Sequence, residues 1–364
     1  MSALEQLFAA EQYSLPTEAR RRLLLAELNE LTCWHEERCP AYANILRASG
    51  VRLPLERMEE LPYIPVRLFK NRRLQSIPDD QVFKVLASSG TTSQTPSRIV
   101  LDRGTAQLQT RALAAIMNTV LGRRRMPMLI CDAANVLKDR TAYSARGAGI
   151  LGMSTFGRDH FYALDDKMQL RGVELSQWLD AHRGQPIFFF GFTYMVWQYV
   201  IQRLLEENRR IEPHGGLLIH GGGWKTLQDQ AIDTATYRHV AVEALGVAGV
   251  FNYYGMVEQT GSIYMECTHG YLHPSNFSEV IVRDYRTWQP CPSGIEGVLQ
   301  TISVLPRSYP GHSLLTEDLA VIHGVDDCPC GRKGARFTVS GRIPHAELRG
   351  CSDTHARAAA GVGW

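Results

Sequence analysis

Apolar residues recur at three- and four-residue spacing from Leu4 to Leu46, interrupted at Pro16 and Pro40, and this pattern predicts a group of N-terminal helices. From Val51 to Pro78 prolines punctuate the chain too often for a regular element, so the segment is expected to wrap as loop over a larger body. The pattern then changes to α/β alternation. Strands are expected at Val82–Ala87, Met128–Cys131, Ile187–Phe190, Leu217–Ile219 and Val250–Tyr253, and helices at Thr105–Leu121 and Val173–His182. The apolar stretch Pro186–Val200, broken by Gly191, Thr193 and Gln198, reads as a buried strand running into a helix. From Gly270 onward the texture is β-rich, with strands expected at Val280–Val282, Val298–Val304 and Leu319–Ile322 between Pro and Gly turns. No internal repeat or low-complexity segment is present, and the small residues of Ala356–Gly363 are expected to fray.

The pattern implies an α/β protein in four segments. These are a helical and loop wrap over residues 1–80, an α/β core over 81–265, a β-rich subdomain over 266–342 and a tail over 343–364. A chain of 364 residues has room for a large core, and a net charge of +2 gives no field suited to nucleic acid. The N-terminus lacks the basic start and apolar centre of a signal peptide, and no apolar run approaches the roughly 20 residues that span a bilayer. A cytoplasmic protein without a membrane span is expected, in which the eight cysteines serve as reduced thiols, metal ligands or nucleophiles.

Three segments carry candidate chemistry. Ser88-Ser89-Gly90-Thr91-Thr92-Ser93-Gln94-Thr95 follows a predicted strand with hydroxyls and a glycine that suit phosphate oxygens, although a solvated Ser/Thr loop has the same composition. In Asn252-Tyr253-Tyr254-Gly255-Met256-Val257-Glu258, Tyr254 can lie on a purine and Glu258 is a hard oxygen ligand for Mg²⁺. Asp318 can accept hydrogen bonds from ribose hydroxyls. Taken singly, Glu258 reads as a surface acid and Asp318 as an ordinary carboxylate at a strand start.

The order of these segments, followed by Ser340-Gly341-Arg342, resembles the adenylate-forming superfamily of acyl-CoA synthetases and phenylacetate-CoA ligases. The resemblance implies ATP and Mg²⁺ as cofactors. Ser89, Thr91 and Thr92 would lie on the triphosphate, Tyr254 on adenine, Glu258 on Mg²⁺, Asp318 on ribose, and Arg342 on ribose or phosphate. The flexible His220-Gly221-Gly222-Gly223-Trp224-Lys225 segment places Gly221 and Gly222 in the nucleotide pocket, or forms a plain tight turn with Trp224 in the core. The sequence departs from the superfamily pattern at Ser93 and Val257, and its phosphate loop gains a basic group only at Arg98. Only Ile343 to Trp364 follow Arg342, so the small lysine-bearing domain of roughly 100 or more residues is expected to be absent. Mg²⁺ at Glu258, with Arg98 and Lys225, is then expected to stabilise the pentavalent phosphorus.

The tail Ile343-Pro344-His345 to Arg349-Gly350-Cys351-Ser352-Asp353-Thr354-His355 resembles the end of the LuxE-type acyl-protein synthetases, which transfer fatty acyl groups to a cysteine near the C-terminus. An acyl-adenylate is a mixed anhydride, and a thiolate opens it to a thioester at neutral pH. Cys351 is accordingly the expected acceptor, with a carboxylic acid of the fatty class as substrate and an acyl reductase or carrier protein as the partner that receives the thioester. The acid is expected among Phe188–Met195 and Tyr253, whose aromatic rings serve equally well as core.

Two other functions remain open from the sequence. An acyl- or aryl-CoA ligase would pass the adenylate to a diffusible thiol and make Cys351 irrelevant, while a non-catalytic nucleotide- or acyl-binding subunit would give no ATP–pyrophosphate exchange. Independently, Cys328-Pro329-Cys330-Gly331-Arg332 with Cys267 and one of two imidazoles, His273 preferred over His269, offers a Cys₃His set for structural zinc, against which stand reduced thiols on a β-turn. Cys33, Cys39, Cys131 and Cys291 are read as structural.

Overall fold

The computed structural model describes residues 1–87, 96–137, 145–212, 215–223 and 232–343. Within them the chain forms two compact units. The first gathers the N-terminal residues to 87, residues 96–119 and residues 255–343; the second holds the described residues from 120 to 254.

In the first unit, Ala3–Ala9 begins with Ser2 and Glu5 in a reciprocal cap. Pro16 precedes the helix Thr17–Arg38, and Pro40 opens Pro40–Ser49, where its missing N–H costs nothing. Thr17–Arg38 buries Leu24, Leu28 and Leu31 on one face, in the company of Arg20, Glu27 and His35. Those polar groups are buried because each finds a partner in the β-rich part of the unit. Arg20 lies 2.9 Å from Glu279, Glu27 lies 2.8 Å from Arg307, and His35 Nε2 lies 3.1 Å from the Pro306 carbonyl.

That β-rich part is antiparallel, in the order Ser278–Arg283, Glu296–Ser303, Ser313–Val325, Ala335–Arg342, Leu272–His273, Tyr264–Glu266. Ser313–Val325 is far longer than the four residues its apolar pattern suggests, because its second half, from Asp318, pairs with Ala335–Arg342 through two shifts of register. The expected loop over Val51–Pro78 holds only short elements, among them Ile64–Pro65, which pairs in parallel with Leu314 and Leu315. Lys84–Ala87 and Arg98–Leu101 pair as a separate two-stranded antiparallel sheet, and the hydroxyl-rich segment between them in sequence lies outside the described residues.

The second unit is a parallel sheet in the order Gly249–Tyr254, Leu217–Gly221, Phe188–Phe192, Met126–Ala133, Gly157–Leu164. Helices Ala145–Ser154, Gly172–Ala181 and Thr234–Leu245 connect its strands. Strands covered on both faces read as apolar runs, and Phe188, Phe189 and Phe190 are fully buried. Gly157–Leu164 has no such run, since Arg158, Asp159 and His160 at its start are exposed. No helix among the described residues is long and apolar enough to cross a membrane.

Candidate functional site

Tyr253 and Tyr254 end the strand Gly249–Tyr254, and the chain then passes through exposed Gly255 into the short turn Val257–Gln259. This turn holds Glu258, which is buried. The Tyr309 hydroxyl donates to the Glu258 carbonyl at 3.0 Å, and the Gln259 amide donates to the Thr301 and Gly311 carbonyls at 3.1 and 2.9 Å. A Cβ on Gly311 would stand 2.3 Å from the Tyr309 ring, so glycine is required there for the tyrosine to reach the turn. Tyr309 and Gln259 thus fix the backbone beneath the candidate magnesium ligand. Neither residue carries a motif of its own in the sequence, where the local sign is the Tyr309-Pro310-Gly311 turn.

Asp318 and Arg342 are direct cross-strand partners, with Arg342 Nε 3.2 Å from Asp318 Oδ1. The structure therefore brings the ribose candidate and the arginine of Ser340-Gly341-Arg342 into one contact. Arg98 is exposed opposite Ala87 at the start of its strand. Ser88, Ser89, Gly90, Thr91, Thr92, Lys225 and Cys351 lie outside the described residues.

At the carboxyl edge of the parallel sheet, glycines make room for rings. A Cβ on Gly221 would lie 2.7 Å from the Tyr253 ring, and one on Gly222, whose φ is +87°, would lie 2.8 Å from Phe192. These two glycines therefore have a packing reason as well as the expected closeness to nucleotide. Tyr253 stacks near Phe190 with ring centroids 6.3 Å apart, while Phe189 belongs to the core.

Two polar pairs at the same edge had no assigned role in the sequence. The Thr193 hydroxyl lies 2.9 Å from His220 Nδ1 and 3.1 Å from the Gly221 carbonyl. Burial, with help from the Arg238 charge, pushes His220 down to about 3, so the ring is neutral near neutral pH. Asp132 and Arg146 are both buried, with 3.1 Å between Asp132 Oδ2 and Arg146 Nε. Burial pushes Asp132 up to about 6, and Arg146 and the Ala133 N–H offset that only in part.

A separate constellation lies in the first unit. Cys267 follows the strand Tyr264–Glu266, His273 ends the next, and Cys328 and Cys330 sit in the turn after Ser313–Val325. The four ligand atoms lie within 4.8 Å of one another, with Cys267 and Cys328 sulfurs 3.9 Å apart and Cys330 Sγ 3.7 Å from His273 Nε2. Tetrahedral zinc, with bonds of about 2.0 to 2.3 Å, needs ligand atoms about 3.5 to 3.8 Å apart; the two closest pairs stand near that spacing, and three thiols with one imidazole are the donor chemistry that zinc takes. Gly270 and Gly331, at φ +80° and +85°, make the two tight turns that aim the thiols. Arg332 donates to the Met265 carbonyl at 3.0 Å and ties the Cys-Pro-Cys-Gly-Arg turn to the neighbouring strand. Among the other cysteines Cys39 and Cys131 are buried, whereas Cys33 is exposed and Cys291 partly so.

The fold is that of the adenylate-forming ligases. It is similar to 2-hydroxyisobutyryl-CoA ligase in an open conformation with 2-HIB-AMP and CoA, at a TM-score of 0.71 and 20% identity, over 91% of this chain and 77% of that one. The sequence matches the description "Acyl-protein synthetase, LuxE" over residues 3–359, and the chain belongs to that family. It is 22% identical over 333 residues to a long-chain-fatty-acid–luciferin-component ligase of Vibrio harveyi, covering 88% of this chain and 83% of that protein. The same-named ligase of Aliivibrio fischeri is 21% identical over 336 residues, covering 89% and 85%. The chain is thus an enzyme, a ligase of ATP-dependent acyl activation and transfer.

Proposed function

We propose that this ligase joins a fatty-class carboxylic acid to AMP at the expense of ATP, releases pyrophosphate, and passes the acyl group to its own Cys351. In the second step the cysteine thiolate attacks the acyl carbonyl carbon, the C–S bond forms, and AMP leaves with the electron pair of the broken C–O bond. The observation that carries the reading is the buried Glu258 turn, held by Tyr309 and Gln259 four residues beyond Tyr254. A carboxylate kept from water on a pinned backbone suits a hard divalent cation. Mg²⁺ bound there would neutralise phosphate charge, while Tyr254 supports the base and Asp318 with Arg342 holds the ribose. By their motif Ser88, Ser89, Gly90, Thr91 and Thr92 would bind the phosphates, with Arg98 and Lys225 as the basic groups. Gly221 and Gly222 line the nucleotide, and zinc at Cys267, His273, Cys328 and Cys330 is structural. The thioester goes to an acyl reductase or a carrier protein, and the cytoplasm supplies the ATP and reducing conditions that the thiol chemistry needs.

Intact-protein mass spectrometry tests the reading, on the chain and its Cys351→Ser variant incubated with ATP, Mg²⁺ and a panel of acids. An ATP-dependent acyl adduct absent from the variant is expected. AMP release with no adduct on either protein would place the acceptor elsewhere, and acyl-CoA formation that survives the substitution would select a diffusible thiol.

A further inference from the structure

The N-terminal arm, residues 7–20, is held by two short stretches of chain, residues 267–276 and 326–334, and each stretch carries two ligands of the Cys₃His set. In the first stretch Asn276 donates through Nδ2 to the Leu7, Ala10 and Glu11 carbonyls, and its Oδ1 accepts from the Tyr13 N–H at 3.2 Å. The Pro274 carbonyl accepts from Arg20 at 3.1 Å. In the second stretch Asp326 accepts from both the N–H and the hydroxyl of Thr17 at 2.9 Å, and from the Gly334 N–H at 2.6 Å. The Lys333 N–H donates to the Tyr13 carbonyl at 2.8 Å, and the Arg332 guanidinium lies 4.3 Å from the centre of the Tyr13 ring. A Cβ on Gly334, whose φ is +96°, would stand 2.6 Å from Arg20 Nη1, so this turn is shaped to admit the buried arginine.

Tyr13 is gripped from both sides, its N–H by the first stretch and its carbonyl by the second. Its ring stands edge-on to His273 with centroids 6.4 Å apart. Its φ of +65° is a left-handed conformation that a bulky residue keeps only where its surroundings impose it. The two stretches must therefore hold their spacing for the arm to stay docked. Protein contacts between them and their flanks include the pairing of Leu272 with Phe337 and the bonds from Arg332 to the Met265 and Glu266 carbonyls, at 3.0 and 3.3 Å. A tetrahedral ion would add four bonds across the same gap, two to each stretch, and binding to a site that the unfolded chain lacks is itself folding free energy.

We infer that zinc at Cys267, His273, Cys328 and Cys330 is the latch of the N-terminal arm. With the metal bound, residues 7–20 are clasped between the two stretches; with the metal lost, they open while the parallel sheet holds. The inference rests on the zinc reading and gives the ion a task. It also ties the metal to acyl activation without a place in the reaction. Arg20, at the arm's end, pairs with buried Glu279 at 2.9 Å. Glu279 lies on the strand that pairs with Glu296–Ser303, whose Thr301 carbonyl accepts from Gln259 beside Glu258.

Hydrogen–deuterium exchange read by mass spectrometry tests the latch on the full chain with zinc bound, after a chelator has removed the metal, and after zinc is added back, with the metal content of each sample measured. On metal loss the amides of residues 7–20 are expected to exchange about tenfold faster or more, by local opening, while those of Phe188–Phe192 and Leu217–Gly221 keep their rates. Added zinc restores the arm. Linkage requires the converse, because an arm that docks on the loaded form tightens the metal by the same factor. Thr17→Val removes the hydroxyl bonded to Asp326 and touches no ligand, and it is expected to weaken zinc severalfold in competition with a chromogenic chelator. An arm equally protected with and without metal, exchange that rises as much in the parallel sheet as in the arm, or zinc held equally well by Thr17→Val overturns the latch and leaves the zinc site standing. A chain that neither contains zinc when purified nor binds it when added overturns the zinc site and the latch with it.

Discussion

Acid should destabilise this protein through histidines that fold neutral, and His312 is the one whose share can be separated. It is fully buried, with Nε2 3.2 Å from both the Thr32 hydroxyl and the Tyr42 hydroxyl, and burial holds it down at about 3. His35 stacks on it with ring centroids 5.1 Å apart. It too is held well below the ordinary value, by burial first and then by the His312 charge, with Arg307 and Arg38 adding to the push. In the unfolded chain each ring titrates near 6.5. The stability these neutral rings contribute is therefore complete above about pH 6.5, and it is lost as pH falls towards the folded value, since only the unfolded state takes up the proton. Between about pH 7.5 and about pH 5 the loss is about 2 kcal/mol for each histidine. His312→Gln keeps a hydrogen-bonding side chain and removes the titration. Urea unfolding at the two pH values should show the variant losing about 2 kcal/mol less than the parent, because the carboxylates contribute equally to both. Parallel losses in the two proteins would refute the assignment of a neutral, buried His312.

Arg20→Met should cost about 3 kcal/mol in urea unfolding, because buried Glu279 would keep only half-exposed Arg21 as a charged partner, and an unchanged midpoint would show the Arg20–Glu279 pair to be dispensable. Thiol modification in the presence of a chromogenic chelator should release one zinc ion per chain and lower the melting temperature, and Cys330→Ser should release less; purified protein that is metal-free and equally stable would argue for plain thiols. Tyr309→Phe removes the donor to the Glu258 carbonyl and should cost about 1 to 3 kcal/mol of stability together with a fall in pyrophosphate exchange; no change in either would free the turn from Tyr309.

What the sequence made legible is what local pattern records. Phe188–Phe192 and Leu217–Gly221 announce themselves as apolar runs because both faces of the parallel sheet are covered. Tyr254, Glu258, Asp318 and Arg342 were legible as an ordered set of motifs. Ala335–Arg342 escaped notice because Arg336, Thr338 and Ser340 leave it half-exposed, and its pairing with the long preceding strand depends on a turn at Gly334 rather than on an apolar run. The three cysteines could be named from spacing, with His273 preferred over His269, yet their meeting point depends on strand pairing between residues far apart in sequence, such as Leu272 with Phe337. Partnerships such as Asp132 with Arg146 or Gln259 with Thr301 leave no local trace, because each residue taken alone resembles an ordinary polar position.

The buried polar groups of the first unit form a line that leads from the N-terminus to the Glu258 turn. Asn276 donates through Nδ2 to the Leu7, Ala10 and Glu11 carbonyls at 3.3, 3.3 and 3.0 Å, and so caps the end of the first helix. Two residues before Asn276, the Pro274 carbonyl accepts from Arg20 at 3.1 Å, and Arg20 also pairs with Glu279, which fixes the entry of the strand Ser278–Arg283. That strand sets Glu279 opposite Ile302 and Val280 opposite Thr301, and the Thr301 carbonyl accepts from Gln259 beside Glu258. Apolar packing tolerates small slides, whereas hydrogen bonds between buried groups do not, because each slipped bond leaves a desolvated donor or acceptor behind. The N-terminal helices thereby help to set the register of the strands that back the Glu258 turn through Thr301, and their polar inner face, costly by itself, makes that setting specific.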